Sequence, residues 1–179
     1  MYKQAYSCNI EEGRPIIFCL IKKIISGGQT GVDQAALDVA MAIGLDAGGW
    51  CPPGGICENG QIPFHYRLTE TPHDRSNKAL NIPRSQRTEW NVRDADATLI
   101  IQPLNNKNDK GTEWTIRCAI NYEKPYLIID PFQGNAANVV NNWLQSFNME
   151  ILNVAGPAES TFPGIGKRTK KLLHKVFSS

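Results

Sequence analysis

Short apolar runs alternate with segments of helical periodicity along most of the chain, and this alternation constrains the fold more than any other feature. Leu20 to Ile25 is short and β-branched and ends at Ser26. A glycine cluster follows, then the spacing Ala35, Ala36, Val39, Ala40 and Ile43, closed by Gly44. That pattern spells strand, tight loop, helix. Ala97 to Ile101 and Tyr126 to Ile129 have the uniform apolarity of parallel strands buried on both faces, and Glu150 to Ala155 reads as another strand. Thr112 to Ile120 and Ala136 to Phe147 fit crossover helices between them. Ile165, Leu172, Leu173, Val176 and Phe177 mark one side of a final helix. Ala47 to Cys51 reads as a strand running into a Pro- and Gly-rich loop, Tyr66 to Thr71 as a strand stopped by Pro72, and Ser85 to Val92 as a helix.

The pattern predicts an α/β class: a Rossmann-like, doubly wound, mostly parallel sheet of about six strands flanked by helices. At 179 residues with 41% hydrophobic content, the chain suits a single domain, expected over residues 20–179. Residues 1–19 read as an N-terminal extension, because Met1 to Pro15 is polar and aperiodic. With 19 Lys and Arg against 17 Asp and Glu, the net charge of +2 gives no field that would gather nucleic acid. Ile16 to Ile25 is interrupted by Lys22 and Lys23 and falls short of the roughly 20 residues of a spanning helix, so no membrane association is expected. Five cysteines, without a secretory signal, argue against a disulfide framework and for the reducing cytoplasm.

In such a sheet, ligands bind beyond the carboxyl ends of the strands, where loops feed helix amino-termini. Three segments fit that demand. In Ser26-Gly27-Gly28-Gln29-Thr30-Gly31-Val32-Asp33 the glycines permit positive φ and close approach, and the Ser26 and Thr30 hydroxyls can serve an anion. A branched side chain at Gly28 is expected to fill the space a phosphate oxygen needs. Asp33 either complements the helix dipole or binds a ligand hydroxyl, amine or bridging metal. In Lys110-Gly111-Thr112-Glu113, Thr112 suits a helix cap and Gly111 admits a ligand oxygen, while Glu113 serves the helix dipole or acid–base chemistry. In the third, Gly156 to Gly166, Ser160, Thr161 and the backbone around Gly164 are candidate anion donors.

Other chemistries find less support. Cys51 and Cys57 lie six apart and His65, His73 and His174 show no partner spacing, so no metal site is expected. The chain has no Gly-x-Ser-x-Gly elbow.

Five motifs carry a resemblance: Ser-Gly-Gly-Gln-Thr-Gly-Val-Asp at 26–33, Gly-Gly-Trp-Cys-Pro at 48–52, Leu-Thr-Glu-Thr-Pro at 68–72, Arg-Thr-Glu-Trp-Asn-Val at 87–92 and Asp-Ala-Asp-Ala-Thr-Leu-Ile at 94–100. Over roughly Ile24 to Phe177 the chain resembles the molybdenum (cofactor) carrier protein family, within the LOG-like, lysine-decarboxylase-like Rossmann superfamily. The resemblance implies a cytoplasmic homo-oligomer, dimer or tetramer, that binds the molybdenum cofactor (molybdopterin) or a similar phosphorylated ligand. It implies protection and delivery to molybdoenzymes without catalysis. The matched motifs add Trp50, Cys51, Arg87, Thr88 and Asn91 to the expected cofactor-binding set, with Arg87 toward the phosphate and Gln29, Asn91 and Glu89 toward the pterin. The chain departs from the family pattern at Gly55, Asn59 and Lys110. Related phosphoribohydrolases carry a glutamate three residues beyond the position of Thr112, where this chain has Thr115. The alternatives are a nucleotide-processing hydrolase using Asp33 or Glu113, and a nucleotide-sensing module.

Overall fold

A computed structural model describes residues 21–104 and 110–178, so the expected extension over residues 1–19 and Leu20 of the first expected strand lie outside the described residues. In chain order the first half contains β1 (Lys23–Ile25), α1 (Val32–Ala42), β2 (Asp46–Gly48), β3 (Trp50–Cys51), β4 (Ile56–Cys57), β5 (Gly60–Gln61), β6 (Thr69–Glu70) and α2 (Ser85–Asp94). The second half contains β7 (Ala97–Ile101), α3 (Lys110–Asn121), β8 (Tyr126–Ile129), α4 (Ala136–Gln145), β9 (Ile151–Ala155) and α5 (Ile165–Phe177).

Five strands form the central sheet in the order β2-β1-β9-β7-β8, and every pairing in it is parallel. Residues alternate across a strand, so Ile24, Leu99, Ile101, Leu152 and Val154 enter one large core with α1, α4 and α5. On the opposite face α2 and α3 build a second cluster from Val92, Trp114, Cys118 and Ala119. Helices on both faces of a parallel sheet are the doubly wound arrangement that the alternation predicts. No helix among the described residues is long and apolar enough to cross a membrane.

One expected strand is divided and another leaves the central sheet. The run Ala47 to Cys51 breaks at Gly49, whose φ of +127° turns the chain after β2. A Cβ at Gly49 would stand 2.4 Å from the Ser26 carbonyl oxygen, so only glycine passes there. Beyond it, β3 pairs in parallel with β6 in a separate two-stranded ladder, and β6 is all that forms of the strand expected over Tyr66 to Thr71. Phe64–Tyr66 is instead a turn of 3-10 helix. The central sheet therefore has five strands rather than six.

The second face is pinned by a buried carboxylate. Glu89 of α2 accepts from the Tyr122 hydroxyl at 2.7 Å, from Ser76 Oγ, and from Lys78 Nζ at 3.1 Å. Burial works against the charged form, but these three donors outweigh it and hold the Glu89 carboxyl below its ordinary range. Glu89 thus ties α2 to the chain before it and to the end of α3. A depressed carboxylate stabilises the fold above its unfolded pKa, and that contribution fades as pH falls through the folded value. Glu89→Gln is expected to cost about 2 kcal/mol at neutral pH, from weakened and orphaned donors. Thermal unfolding followed from pH 7 down to pH 3 should show the gap to the parent protein narrowing below about pH 4.

Candidate ligand cavity at the carboxyl edge

The connections from β1 and β7 run to opposite sides of the sheet, and β9 is inserted between them. This is the kind of switch point where loops diverge and leave a crevice. A cavity of about 340 Å³ lies there, lined by Gly27, Gln29 and Asp33 after β1, by Lys110, Gly111, Thr112 and Thr115 of α3, and by Asn153, Ala155, Gly156, Ala158 and Thr161 from β9 onward. Its remaining wall is Ile82, Pro83, Arg84 just before α2, and the α2 face Arg87, Thr88 and Asn91.

Asp33 and Arg87 organise this wall. Asp33 lies in the first turn of α1, 2% exposed, and Arg87 Nη1 donates to its Oδ2 at 2.7 Å. The Gln29 N–H donates to the same oxygen at 3.2 Å. Burial raises the Asp33 carboxyl above its ordinary range, with Arg87 pulling the other way. The guanidinium reaches Asp33 by crossing Gly27: a Cβ on Gly27 would stand 1.6 Å from Arg87 Nη1. One turn further along α2, Asn91 Oδ1 accepts the Trp50 N–H at 2.9 Å and Asn91 Nδ2 donates to the Trp50 carbonyl at 2.9 Å. Gln29 Oε1 accepts the N–H groups of Thr30 and Glu58 at 3.0 and 2.9 Å, which fixes the orientation of its amide.

Of the residues expected from sequence, Gly27, Gln29, Asp33, Arg87, Thr88, Asn91, Gly111 and Thr112 meet in the cavity. The others are placed differently. Ser26 is fully buried and its hydroxyl donates to the Val154 carbonyl at 2.6 Å. Thr30 Oγ1 and Ser160 Oγ both donate to the carboxylate of Glu58, at the tip of the β4–β5 hairpin, and the Ser160 N–H adds a bond at 3.1 Å. Desolvation opposes this arrangement, but the donors prevail and hold Glu58 below the ordinary carboxylate range. The Gly164 N–H is likewise taken by an internal carboxylate, Glu159, which also accepts from Gly166 at 3.0 Å. Gly31 brings two loops together, since a Cβ there would stand 2.7 Å from the Pro157 carbonyl oxygen.

Gly28 does not face the cavity. Its φ is +75° and a Cβ would stand 2.4 Å from Leu68 Cδ1, so a valine there disturbs loop packing rather than filling a phosphate position. Cys51 is buried with Leu37, Cys57, Ile62 and Tyr66, and burial together with Glu70 pushes its thiol up. Trp50 turns its ring edge-on to Trp90 at 4.7 Å and donates Nε1–H to Asp94. Glu113 lies outside the lining, and Glu89 is committed to the network described above. Thr161, a candidate of the third loop, also lines the cavity, whereas sequence reading missed Arg84 and Asn153. Arg84 precedes α2 in a left-handed conformation, so helical spacing from Arg87 gives no signal for it. No described group of His, Cys, Asp and Glu is placed to hold a metal ion.

Fold and cavity together define a Rossmann-like α/β protein with a cation-rich hollow at the carboxyl edge of a parallel sheet. The chain belongs to the circularly permutated YpsA SLOG family, whose model matches residues 24–177. It is similar to the crystal structure of a "putative molybdenum carrier protein" from Syntrophus aciditrophicus SB, at 40% identity and a TM-score of 0.79, over 89% of this chain and 96% of that one. No functionally curated protein matches the chain. The family resemblance carried by the sequence motifs is borne out.

Removing one member of a buried ion pair leaves the other uncompensated. Arg87→Met is therefore expected to cost about 3 kcal/mol in urea unfolding, and Arg87→Met/Asp33→Asn to recover part of that loss. Gly27→Ala should resemble Arg87→Met, since its methyl group would occupy the guanidinium's path.

Proposed function

We propose that the chain is a carrier that binds the molybdenum cofactor, or a closely similar phosphorylated pterin, in this cavity and releases it unchanged to molybdoenzymes. The observation that carries the reading is the charge of the lining: among the described residues, three cations, Arg84, Arg87 and Lys110, stand against the carboxylate of Asp33. Arg87 already neutralises Asp33, so the hollow keeps a net excess of two positive charges, matched to a phosphate monoester. The amino-terminus of α3 abuts the same space and adds the positive end of its dipole. Phosphate is accordingly assigned to the Arg84–Lys110 side. The amides of Gln29 and Asn153 are assigned to the edge of the heterocycle, where planar donors and acceptors are needed. The name of the Syntrophus aciditrophicus relative supports the cargo.

The lining also favours carriage over hydrolysis. Thr115 stands where related phosphoribohydrolases have glutamate, and its hydroxyl donates to the Gly111 carbonyl at 2.9 Å. Asp33 is engaged by Arg87 and by the Gln29 amide, which leaves it poorly disposed to exchange protons with a substrate.

Native mass spectrometry of gently purified protein, with elemental analysis, should find molybdenum bound in near-stoichiometric amount. Arg84→Ala and Lys110→Ala should each weaken binding of extracted molybdopterin by about tenfold to a hundredfold, with the fold retained. Unchanged affinity in folded variants would refute the site. Release of ribose 5-phosphate from nucleoside monophosphates would instead establish the hydrolase.

A further inference from the structure

Strand β8 forms one edge of the central sheet, paired with β7 on one side and, among the described residues, with no strand on the other. The Pro125 and Ile129 carbonyls face inward, accepting from Thr98 and Gln102 N–H groups, each at 2.9 Å. By the alternation of a parallel ladder, Leu127 also turns its polar groups inward, while Tyr126 and Ile128 turn both N–H and C=O outward. Exposed edges are ordinarily guarded by charge, a bulge or proline. The four residues of β8 are Tyr-Leu-Ile-Ile, and Pro125 lies at an inward-facing position, so it does not blunt the open side. Tyr126 and Ile128 are 37% and 43% exposed and share one face of the strand. Ile120, near the end of the helix on that face, is also exposed.

We propose that a second copy of this chain docks on β8, antiparallel and about a twofold axis, joining the two five-stranded sheets into one. The inference is independent of the ligand assigned to the cavity. Of the registers that oppose outward-facing groups, the one centred on Leu127 pairs Tyr126 with the second copy's Ile128 and needs neither the Lys124 N–H, which donates to the Ala119 carbonyl, nor the Asp130 carbonyl, which accepts from Gln133. That register sets each Tyr126 ring against the second copy's Ile128 on the same face, an aromatic and β-branched cross-strand pair. It also sets Lys124, three residues before the axis, opposite the second copy's Asp130, three residues after it. The charge match occurs twice by symmetry. A one-residue slip would lose the hydrogen bonds and the charge match together. Hydrogen-bonding, apolar and charge complementarity coincide in one self-complementary register, as an isologous contact requires, and this favours a second copy over an unrelated partner.

Analytical ultracentrifugation of the full chain should show a dimer at micromolar concentration. Ile128→Lys, at an exposed position that leaves the protomer core intact, should yield a monomer with an unchanged circular dichroism spectrum. Lys124→Glu should weaken dimerisation at least tenfold. Leu127→Cys reports the register, because a non-hydrogen-bonded antiparallel pair holds its Cα atoms about 4.5 Å apart, within disulfide range. Mild oxidation should join residue 127 of one copy to residue 127 of the other, as read by peptide mass mapping. A monomeric parent protein, a dimer that survives Ile128→Lys, or a dimer in which Cys at 127 fails to link to itself would each overturn the proposal.

Discussion

The ion pair between Asp33 and Arg87 joins helices that lie on opposite faces of the sheet. Asp33 starts α1, which packs in the large core, whereas Arg87 belongs to α2 on the other side. The pair therefore closes over the carboxyl end of β1, and the missing side chain of Gly27 gives it passage. Such a buried pair contributes little net stability compared with apolar packing, but removing one partner is costly, and its geometry admits few alternatives. Asn91 repeats the device one helical turn later by clasping both backbone groups of Trp50. Together the two side chains fix the distance between α2 and the strand ends, and hence the width of the cavity.

The glycine-rich loops around that cavity spend many of their donors on the protein itself. Glu58 receives the Thr30 and Ser160 hydroxyls, and Glu159 receives the amides at the start of α5. These carboxylates sit where an anion would be stabilised, which is why loops that look equally fit for phosphate in sequence are unequal in the fold. Charge excess survives where α2 meets the beginning of α3, since Arg84 and Lys110 line the hollow and, among the described lining residues, Asp33 alone supplies an acid. The electrostatic asymmetry of the site is a consequence of which loops carry their own counter-ions.

Much of this architecture was legible in the sequence because it follows from local periodicity. The uniformly apolar run Ala97 to Ile101 becomes a strand buried at every residue, and the helix spacings at α1 and α5 locate the faces they bury. What failed depended on tertiary detail. The strand expected through Gly49 required knowing that the Ser26 carbonyl would press against it. Thr30, Ser160 and Gly164 sit in loops of the right composition, but the carboxylates that claim them come from Glu58, about a hundred residues from Ser160 in sequence, and from Glu159 beside it. The motif match brought Arg87, Thr88 and Asn91 to the site. Arg84 escaped it because its left-handed backbone, φ 57°, lies just before the helix and outside the motif. Asn153 escaped because a strand residue becomes a cavity wall only once its neighbours are known.

β8 presents the reverse case, in which the sequence asks for more than the isolated protomer supplies. Tyr126 to Ile129 has the same apolar grammar as β7, which signals a strand covered on both faces. Yet β7 is buried throughout, while β8 is covered by α4 on one face and leaves Tyr126 and Ile128 open on the other. A strand with no polar alternation has no reason to tolerate water at half its positions unless something else completes its burial. Pairing across the Leu127 axis supplies the missing strand and places a second apolar residue beside each exposed one. The proposed pairing thus accounts for a strand whose composition resembles that of β7 while its exposure in the protomer does not.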